Sequence, residues 1–514
     1  MTHLAMSVGE LAGDRRFGVA ALPVAGRCGY QLLQVRPAGY VHADAVTDLA
    51  DSVYYALKRL GVPVRRDGEA TADERQIVFG AHLIGVSADV AIAPGATIYN
   101  TEQVTDESLW LGGAYMALLR RHPVWDYSER NVVRLHGLGV ADIRHVPVGF
   151  VPELARLAPV GEDIDVLFYG SLNPRRQFVL DELRLRGLKV VHLFGQYGIE
   201  RDAVIARAKV VLNMHFYESK ILEIVRVSYL LNNFKAVIAE CGPDTEIDPG
   251  LRDAVMAVPY EGLVEACIAL VADDAGRRKL AQRGFKIFSA HRLEATLAAA
   301  LELADNPLPP PSPLPSTLHI GSGKDFRSEH FNVDVNPAWK PDALLDMSSP
   351  SLIGSRVETQ RFGTVEIPEG YFETLIANDV LEHIGDLTAA MTNCLRLLRP
   401  GGTFQISVPY ELGLGAWQDP THLRAFNENS WLYYTDWHWY LGWMDARFDR
   451  VSLEFQLSAF GIELTKASKS LEEILRTPRA VDSMRVVLRK RYLQEAERRA
   501  AAARQPGASE GHAR

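Results

Sequence analysis

The sequence predicts an α/β protein made of parallel sheets with helices on their faces, and three observations predict it. Short apolar strands alternate with segments of helical periodicity, the pattern of parallel strands joined by crossover helices. Several of these strands run into glycine turns or polar residues, where ligands of open α/β sheets bind. A proline-rich stretch, Asn306 to Ser316, breaks the alternation and reads as an extended spacer between two parts. With 514 residues, 47% of them hydrophobic, the chain has room for roughly two to four domains that each bury a core.

The bulk composition narrows the function. A formal net charge of −9 and a pI near 6.0 leave no electrostatic footprint for nucleic acid, so a nucleic-acid partner is not expected. Cys28, Cys241, Cys267 and Cys394 stand at no metal-ligand spacing, and a reduced, cytoplasmic protein is expected. The opening MTHLAMSVGELAGDRR carries acids and lacks the sustained apolar core of a secretory signal. No run reaches the ~18 apolar residues of a membrane span. Peripheral membrane association stays open.

From the start of the chain, Phe17 to Leu22 and Tyr30 to Val35 read as strands, and Ala45 to Leu60 as a helix ended by Gly61. Strands follow at Val62 to Val64, Gln76 to Phe79 and Ala96 to Tyr99. Ligands sit beyond the carboxyl ends of such strands, which singles out His82 after QIVFGA and Asn100, Glu102 and Gln103 after ATIY. Trp125 to Ser128 then opens a helix through Asn131 and Leu135, with Asp126 or Ser128 as its cap, and Val146 to Gly149 leads into an interdomain linker.

A second sheet begins at Asp165 to Gly170 and continues through KVVHLFG, AKVVLNMHF and FKAVIAE. Ser171 to Arg176 opens a helix after its first strand, and Lys220 to Leu231 reads as a helix bearing Glu223 and Arg226. Helical segments fill residues from about 262 to 304. VLFYGSLNPRR, VVLNMHF and ILEIVRVSYLLNN resemble the donor-binding half of two-domain Rossmann glycosyltransferases of GT-B type, in the branch related to spore-maturation and group 1 glycosyltransferases. The resemblance implies that IYNTEQ and VWDYSERN belong to the acceptor half, that Arg175 and Arg176 hold the diphosphate of a nucleotide sugar, and that Glu223 accepts hydrogen bonds from its ribose. His82 or Glu102 would serve the acceptor as base or orienter.

After the spacer, TLHIGSGKDFRSEHFNVDVNP reads as strand, glycine turn, short connector and second strand. Gly321 and Gly323 let the backbone come close to a ligand, and Asp334 ends the second strand where a carboxylate can meet a ribose. Phe326 replaces the third glycine of a dinucleotide fingerprint, and Asp334 follows Gly323 too soon for one. Tyr371 to Asn378 is the next strand, a helix follows through Met391 and Leu398 until Arg399-Pro400-Gly401-Gly402, and Thr403 to Pro409 is the strand after it. LHIGSG, NVDVNP, NDVLEHI and LRLLRPGGTFQISVP, in this order, resemble class I S-adenosylmethionine-dependent methyltransferases of type 11. The resemblance implies Gly321 and Gly323 beside the methionine part of the cofactor, Asp334 on its ribose, Asp346 near the adenine, and Asn378 and Asp379 on the pocket floor.

WQDPTHLRAF resembles the acceptor-side segment of such methyltransferases, with Asp419 or His422 orienting or deprotonating a hydroxyl. Asp379, Asp419, His383 and His422 could serve a divalent metal, but their spacing is not diagnostic and no metal is expected. The aromatic run from Trp431 to Trp443 reads as a lid or core packing, or as a sugar-stacking surface. Ser483 to Leu488 reads as the closing strand, and the tail from Gln494 is expected to fray.

The expected organisation is therefore an acceptor lobe over 1–158, a donor lobe over 159–305, a linker over 306–316, a methyltransferase domain over 317–490 and a flexible tail over 491–514. The expected function is a bifunctional enzyme of polysaccharide or glycoconjugate biosynthesis. It adds a sugar from a nucleotide-diphosphate donor to a glycan and O-methylates that sugar or a neighbour. In the alternative, the GT-B-like half is a non-catalytic glycan- or nucleotide-binding module.

Overall fold

A computed structural model describes residues 29–504, apart from residues 67, 69, 72, 85–89, 106–112, 217–220, 249, 304–307 and 309. The described residues form two compact units that meet in sequence between Pro313 and Leu314.

In the first unit, strands β1 (Gly29–Gln34), β2 (Val64–Arg66), β3 (Glu74–Phe79), β4 (Thr97–Asn100), β5 (Val124–Asp126) and β6 (Ile143–His145) form a parallel sheet in the order β2-β1-β3-β4-β5-β6. Helices α1 (Thr47–Arg59), α2 (Gly113–Arg121) and α3 (Glu129–Gly137) lie between these strands in sequence. Leu49, Val53, Ala56 and Leu57 recur at helical spacing and bury one side of α1. At its end Gly61 takes φ +68, the Val62 N–H donates to the Leu57 carbonyl at 3.0 Å and the Gly61 N–H to Lys58 at 2.9 Å. Val62 is thus spent on closing the helix. The strand expected at Val62 to Val64 starts only at Val64 for that reason.

The second lobe of this unit holds β7 (Ile164–Tyr169), β8 (Val190–Leu193), β9 (Ala208–Asn213), β10 (Ala236–Glu240) and β11 (Met256–Val258), parallel and ordered β11-β10-β9-β7-β8. Helices α4 (Pro174–Leu185), α5 (Gly198–Ala206), α6 (Ile224–Asn232), α7 (Leu263–Ala272) and α8 (Asp274–Ser289) connect and flank them. In each sheet the strand order reverses once, between β1 and β3 and between β7 and β9, and loops diverging there leave a crevice.

The lobes are held together by α9 (Leu293–Ala300), which returns to the first lobe. Arg59 of α1 donates to Glu153 at 3.3 Å and to Glu294 of α9, with all three side chains buried. Removing one member would strand a buried charge, so the triad favours one seating of α9. The Phe150 N–H donates to His291 O (2.7 Å) and the Leu293 N–H to Phe150 O (3.2 Å), and one apolar cluster runs through both lobes from Leu49 by Phe150 to Leu230 and Phe288.

The second unit contains β12 (Thr317–Ile320), β13 (Phe331–Asp334), β14 (Ala343–Leu344), the hairpin β15 (Arg356–Thr359) and β16 (Gly363–Glu366), then β17 (Phe372–Asn378), β18 (Leu398–Pro409), β19 (Ala446–Leu457) and β20 (Val481–Tyr492). Its main sheet runs β14-β13-β12-β17-β18-β20-β19, parallel as far as β18, with β20 antiparallel to both neighbours. Helix α10 (Leu387–Leu397) buries Met391, Cys394 and Leu397, and Arg399 to Gly402 ends it while already forming the irregular start of β18. No helix among the described residues lies between β12 and β13. On β18, Phe404, Ile406 and Val408 are buried while Gln405 and Ser407 alternate with them towards solvent, the period of a sheet with one packed face. Over the second face lies a cleft of about 410 Å³ lined by His319, Asn378, Gln405, Glu454 and Arg485.

Several expectations are corrected. Lys220 to Leu231 is not one helix: α6 starts at Ile224 with Glu223 as its N-cap residue. Leu314, expected in the spacer, is fully buried, and the Tyr371 hydroxyl donates to its carbonyl. The tail does not fray at Gln494. After the short helices α11 (Gly415–Gln418), α12 (Ala459–Lys466) and α13 (Leu471–Leu475), the last helix α14 covers Glu495–Arg504. Arg491 forks onto Glu497 in it (2.6 and 2.7 Å), and Ala501 is buried. The aromatic run divides: Trp431, Tyr434 and Trp443 are buried, while Tyr433, Trp437 and Tyr440 form an exposed edge-to-face cluster. The strand expected at Phe17 to Leu22, and Cys28, lie outside the described residues.

Candidate active sites

The first unit has a cleft of about 520 Å³ at the carboxyl ends of its two sheets, lined from the first lobe by His82, Glu102 and Tyr127 and from the second by Tyr169, Arg176, Arg201, Glu223 and Arg226. His82 follows β3 and its Nδ1 lies 3.4 Å from Glu102 Oε1. Burial pushes the His82 imidazole down to about 4 and the Glu102 carboxyl up to about 7. At neutral pH the histidine is therefore uncharged and the glutamate is poised at ionisation.

The Glu102 backbone is fixed from behind. Its carbonyl accepts from Asn100 Nδ2 (2.9 Å) and Asn131 Nδ2 (3.0 Å). Asn100 also donates to Asp126 (2.6 Å), a buried carboxyl raised to about 7 by burial and drawn back by the amides of Asn100, Ser128 and Asn131. Ser128 is the cap of α3, accepting from Asn131 N at 3.1 Å.

On the opposite wall Arg176 is 1% exposed and its guanidinium is taken up by protein. It donates to Ser171 O (2.8 Å), His215 O (3.3 Å), Met214 O and Glu223 Oε1 (2.5 Å). It ties the loops after β7 and β9 together at the point where strand order reverses. Arg175, expected beside it on a diphosphate, does not line the cleft. It forks onto Glu240 and lies 3.8 Å over the Tyr260 ring. Besides Arg176, the cations that line the cleft are Arg226, paired with Glu223 and donating to Asn213 at 3.2 Å, and Arg201, paired with Asp48 at 2.5 Å. Arg226 was visible in the sequence as the residue three beyond Glu223 on one helical face. Arg201 carried no such signal.

In the second unit the candidate residues gather at the carboxyl ends of β12, β13 and β17. Gly321 takes φ +59, and a Cβ there would meet Val380 Cγ2 at 2.5 Å. The Gly323 N–H donates to Asp334 at 3.0 Å and the Asn336 N–H to its other oxygen at 2.8 Å, so Asp334 closes the glycine turn and keeps acceptor capacity on both oxygens. Asp379 holds φ +53, a conformation a non-glycine residue keeps only where its surroundings enforce it, and its N–H donates to Ser407 O at 2.9 Å. Asn378 is exposed and faces the cleft over the open sheet face. Asp346 is exposed and caps its own turn, accepting from the N–H (2.8 Å) and hydroxyl (2.6 Å) of Ser348.

The acceptor-side segment folds against the loop after β17. Asp419 accepts from the Thr421 hydroxyl at 2.6 Å, Thr421 Oγ1 meets His383 Nδ1 at 2.9 Å, and the rings of His383 and His422 are 4.6 Å apart. Burial raises the Asp379 carboxyl, opposed by His422 and His383. Glu382, which sequence reasoning did not single out, is 1% exposed and its carboxyl is pushed up to about 7 by burial. Its only signal was its place beside His383 just after a strand end.

Residues 283–467 match the family model of a methyltransferase domain. The chain carries a methyltransferase domain. Two curated relatives are uncharacterized proteins of Acanthamoeba polyphaga mimivirus: L140, 24% identical over 163 residues (30% of this chain, 53% of L140), and L138, 31% identical over 108 residues (21% of this chain, 11% of L138). The chain thus spans about half of one and about a tenth of the other. Similar solved structures include a SAM-dependent methyltransferase from Archaeoglobus fulgidus (14% identity, 38% of this chain, 93% of that chain, TM-score 0.24). WaaG, a glycosyltransferase involved in lipopolysaccharide biosynthesis, shares 13% identity over 54% of this chain and 98% of its own, at TM-score 0.35. A T4 phage BGT mutant in complex with UDP-glucose shares 11% over 54% of this chain and 98% of its own, at 0.37. These are general likenesses, and the GT-B-like layout of the unit ahead of the methyltransferase domain stands on its two facing Rossmann-like lobes.

Proposed function

We propose that the chain is an S-adenosylmethionine-dependent O-methyltransferase joined to GT-B-type glycosyltransferase lobes, and that both act on a glycan in the cytoplasm. The observation that carries the reading is the pair of sites at sheet crevices. One is the Gly321 and Gly323 turn closed by Asp334 next to the strained Asp379, and the other is the cleft that sets Glu102 and His82 against Arg226 and Glu223. No helix among the described residues is long and apolar enough to cross a membrane.

For methyl transfer, Gly321 and Gly323 give the backbone access to the cofactor and Asp334 takes its ribose hydroxyls, while Asp346 and Asp379 flank them and Asn378 faces the cleft over the open sheet face instead. When bound, S-adenosylmethionine supplies an electrophilic methyl group, so the protein's task is chiefly in-line positioning. Asp419 or His422 orients the acceptor hydroxyl and takes its proton. For sugar transfer, Arg226, with Arg201 beyond it, meets the diphosphate of the donor, Glu223 meets its ribose, and Glu102 with His82 serves the acceptor. Arg176 acts through the loops it ties rather than on the donor.

A second reading draws on the mutual pairing of Arg176, Glu223 and Arg226. With those groups satisfied by one another, the lobes bind a glycan or nucleotide without turnover and present it to the methyltransferase domain. Calorimetric titration of the full-length chain with S-adenosylhomocysteine, and separately with uridine, guanosine and thymidine diphosphates, tests both. Binding of both classes near micromolar, about −8 kcal/mol, together with nucleotide release from a sugar donor, is expected of the bifunctional enzyme. Nucleotide binding without release would favour the second reading, and no binding of S-adenosylhomocysteine would overturn the methyltransferase assignment.

A further inference from the structure

We infer that Glu382, His383 and His422 form a site for one divalent transition-metal cation. Each offers a donor atom, and the three atoms lie within 4.8 Å of one another. Three further observations show that the cluster is built to receive a ligand.

The first is Glu382. It is 1% exposed, and neither of its carboxylate oxygens has a hydrogen-bond partner among the described residues. A carboxylate taken out of water without a donor is costly, and buried charges are normally paired or coordinate a metal. The second is His422, whose Nδ1 lies 2.9 Å from the Ala416 carbonyl. A carbonyl only accepts, so Nδ1 carries the proton and Nε2 keeps its lone pair.

The third is His383. Its Nδ1 is 2.9 Å from Thr421 Oγ1, and that hydroxyl donates its one proton to Asp419 at 2.6 Å. The hydroxyl therefore accepts from His383 Nδ1–H, and the Nε2 of this ring is free as well. Each imidazole is thus held by a hydrogen bond from its other nitrogen, one to a backbone carbonyl and one through a hydroxyl to a carboxylate, which is how metal-binding histidines are oriented.

Two neutral imidazole nitrogens and one carboxylate suit zinc, iron, cobalt or nickel better than magnesium or calcium, which take oxygen donors. Glu382 is buried, His422 half-buried and His383 exposed, so the three leave a solvent side where a further ligand can enter, as in catalytic rather than structural sites. If the acceptor side lies here, as proposed above, a cation would polarise the hydroxyl to be methylated, and with His422 as a ligand the proton would go to Asp419. The metal site itself does not depend on that role.

The test is cobalt(II) binding to the metal-stripped full-length chain, followed by visible absorption and equilibrium dialysis. One equivalent per chain with d–d bands, displaced by zinc(II), is expected. Glu382→Gln and His422→Ala should each abolish the bands, and so should His383→Ala, a change at an exposed residue that leaves the fold intact by circular dichroism. Thr421→Val, which removes the support of His383 and no ligand, should weaken cobalt binding about tenfold or more. Less than half an equivalent in the wild type, or bands unchanged in His383→Ala, would overturn the site.

Discussion

Arg176 and Arg226 stand on the same wall of the cleft and are expected to respond to truncation in opposite ways. Arg176 is buried and donates to three backbone carbonyls and to Glu223. Arg176→Ala leaves those carbonyls without their donor and Glu223 with Arg226 alone, a change of about 3–5 kcal/mol. Urea unfolding should show that loss. Arg226 borders open cleft, so Arg226→Ala should stay within about 1 kcal/mol of wild type while nucleoside diphosphate affinity falls tenfold or more. The reverse pattern would return the diphosphate to Arg176. A third residue sets the pH behaviour. With Glu102 lifted to about 7 and His82 held down to about 4, sugar transfer that uses the Glu102 carboxylate as base should rise through pH 7 and level off above it. The sign for stability is opposite. Between about 4.5 and 7 the folded carboxyl holds a proton that the unfolded one has released, so its contribution to stability falls as pH rises across that window. Glu102→Gln should flatten both profiles, and a rate profile still rising through pH 7 in that variant would remove Glu102 from the base role.

At the scale of elements, the turn after β12 tolerates little change. Gly321→Ala adds a Cβ at φ +59 and 2.5 Å from Val380, so both backbone strain and a clash push the turn open. A cost of roughly 1–3 kcal/mol is expected, with at least a tenfold loss of S-adenosylhomocysteine affinity by calorimetry. Unchanged affinity would mean that the cofactor lies elsewhere. This turn was legible in the sequence because two glycines flank a serine between apolar strands. Strands β1, β7, β9, β10 and β17 were legible as short runs dominated by apolar residues. β5 and β6 were not, since three residues each are too few to show a period, and their pairing comes from neighbours. Helix α14 was hidden by a composition that reads as disorder, and its tie is the fork from Arg491 to Glu497. The site followed the same rule. Residues next to a strand end, such as His82, Glu102 and Asp334, could be named in advance. Contacts set by topology could not. Arg176 meets Glu223 across 47 residues, and Arg175, adjacent to Arg176 in sequence, turns to Glu240 instead.

At the scale of the whole molecule, the division at Pro313 and Leu314 makes ligand response a test of organisation. Each unit has its own sheet crevice and its own candidate ligand, so a ligand that binds only the native form should stabilise one unit by mass action and leave the other nearly unchanged. At a hundred times its dissociation constant, S-adenosylhomocysteine should add about 2.7 kcal/mol to the unit that binds it. Scanning calorimetry of the full-length chain is expected to resolve two transitions. S-adenosylhomocysteine should move one of them upward, and the nucleoside diphosphate that binds should move the other. Gly321→Ala should cancel the first shift alone and Arg226→Ala the second alone. A single transition that both ligands raise would mean that the units unfold as one cooperative body, and their sites would then be linked through stability. Coupling of that kind would be measurable as a change in S-adenosylhomocysteine affinity on saturation with the nucleotide, and reciprocity requires the same factor in the opposite order of addition.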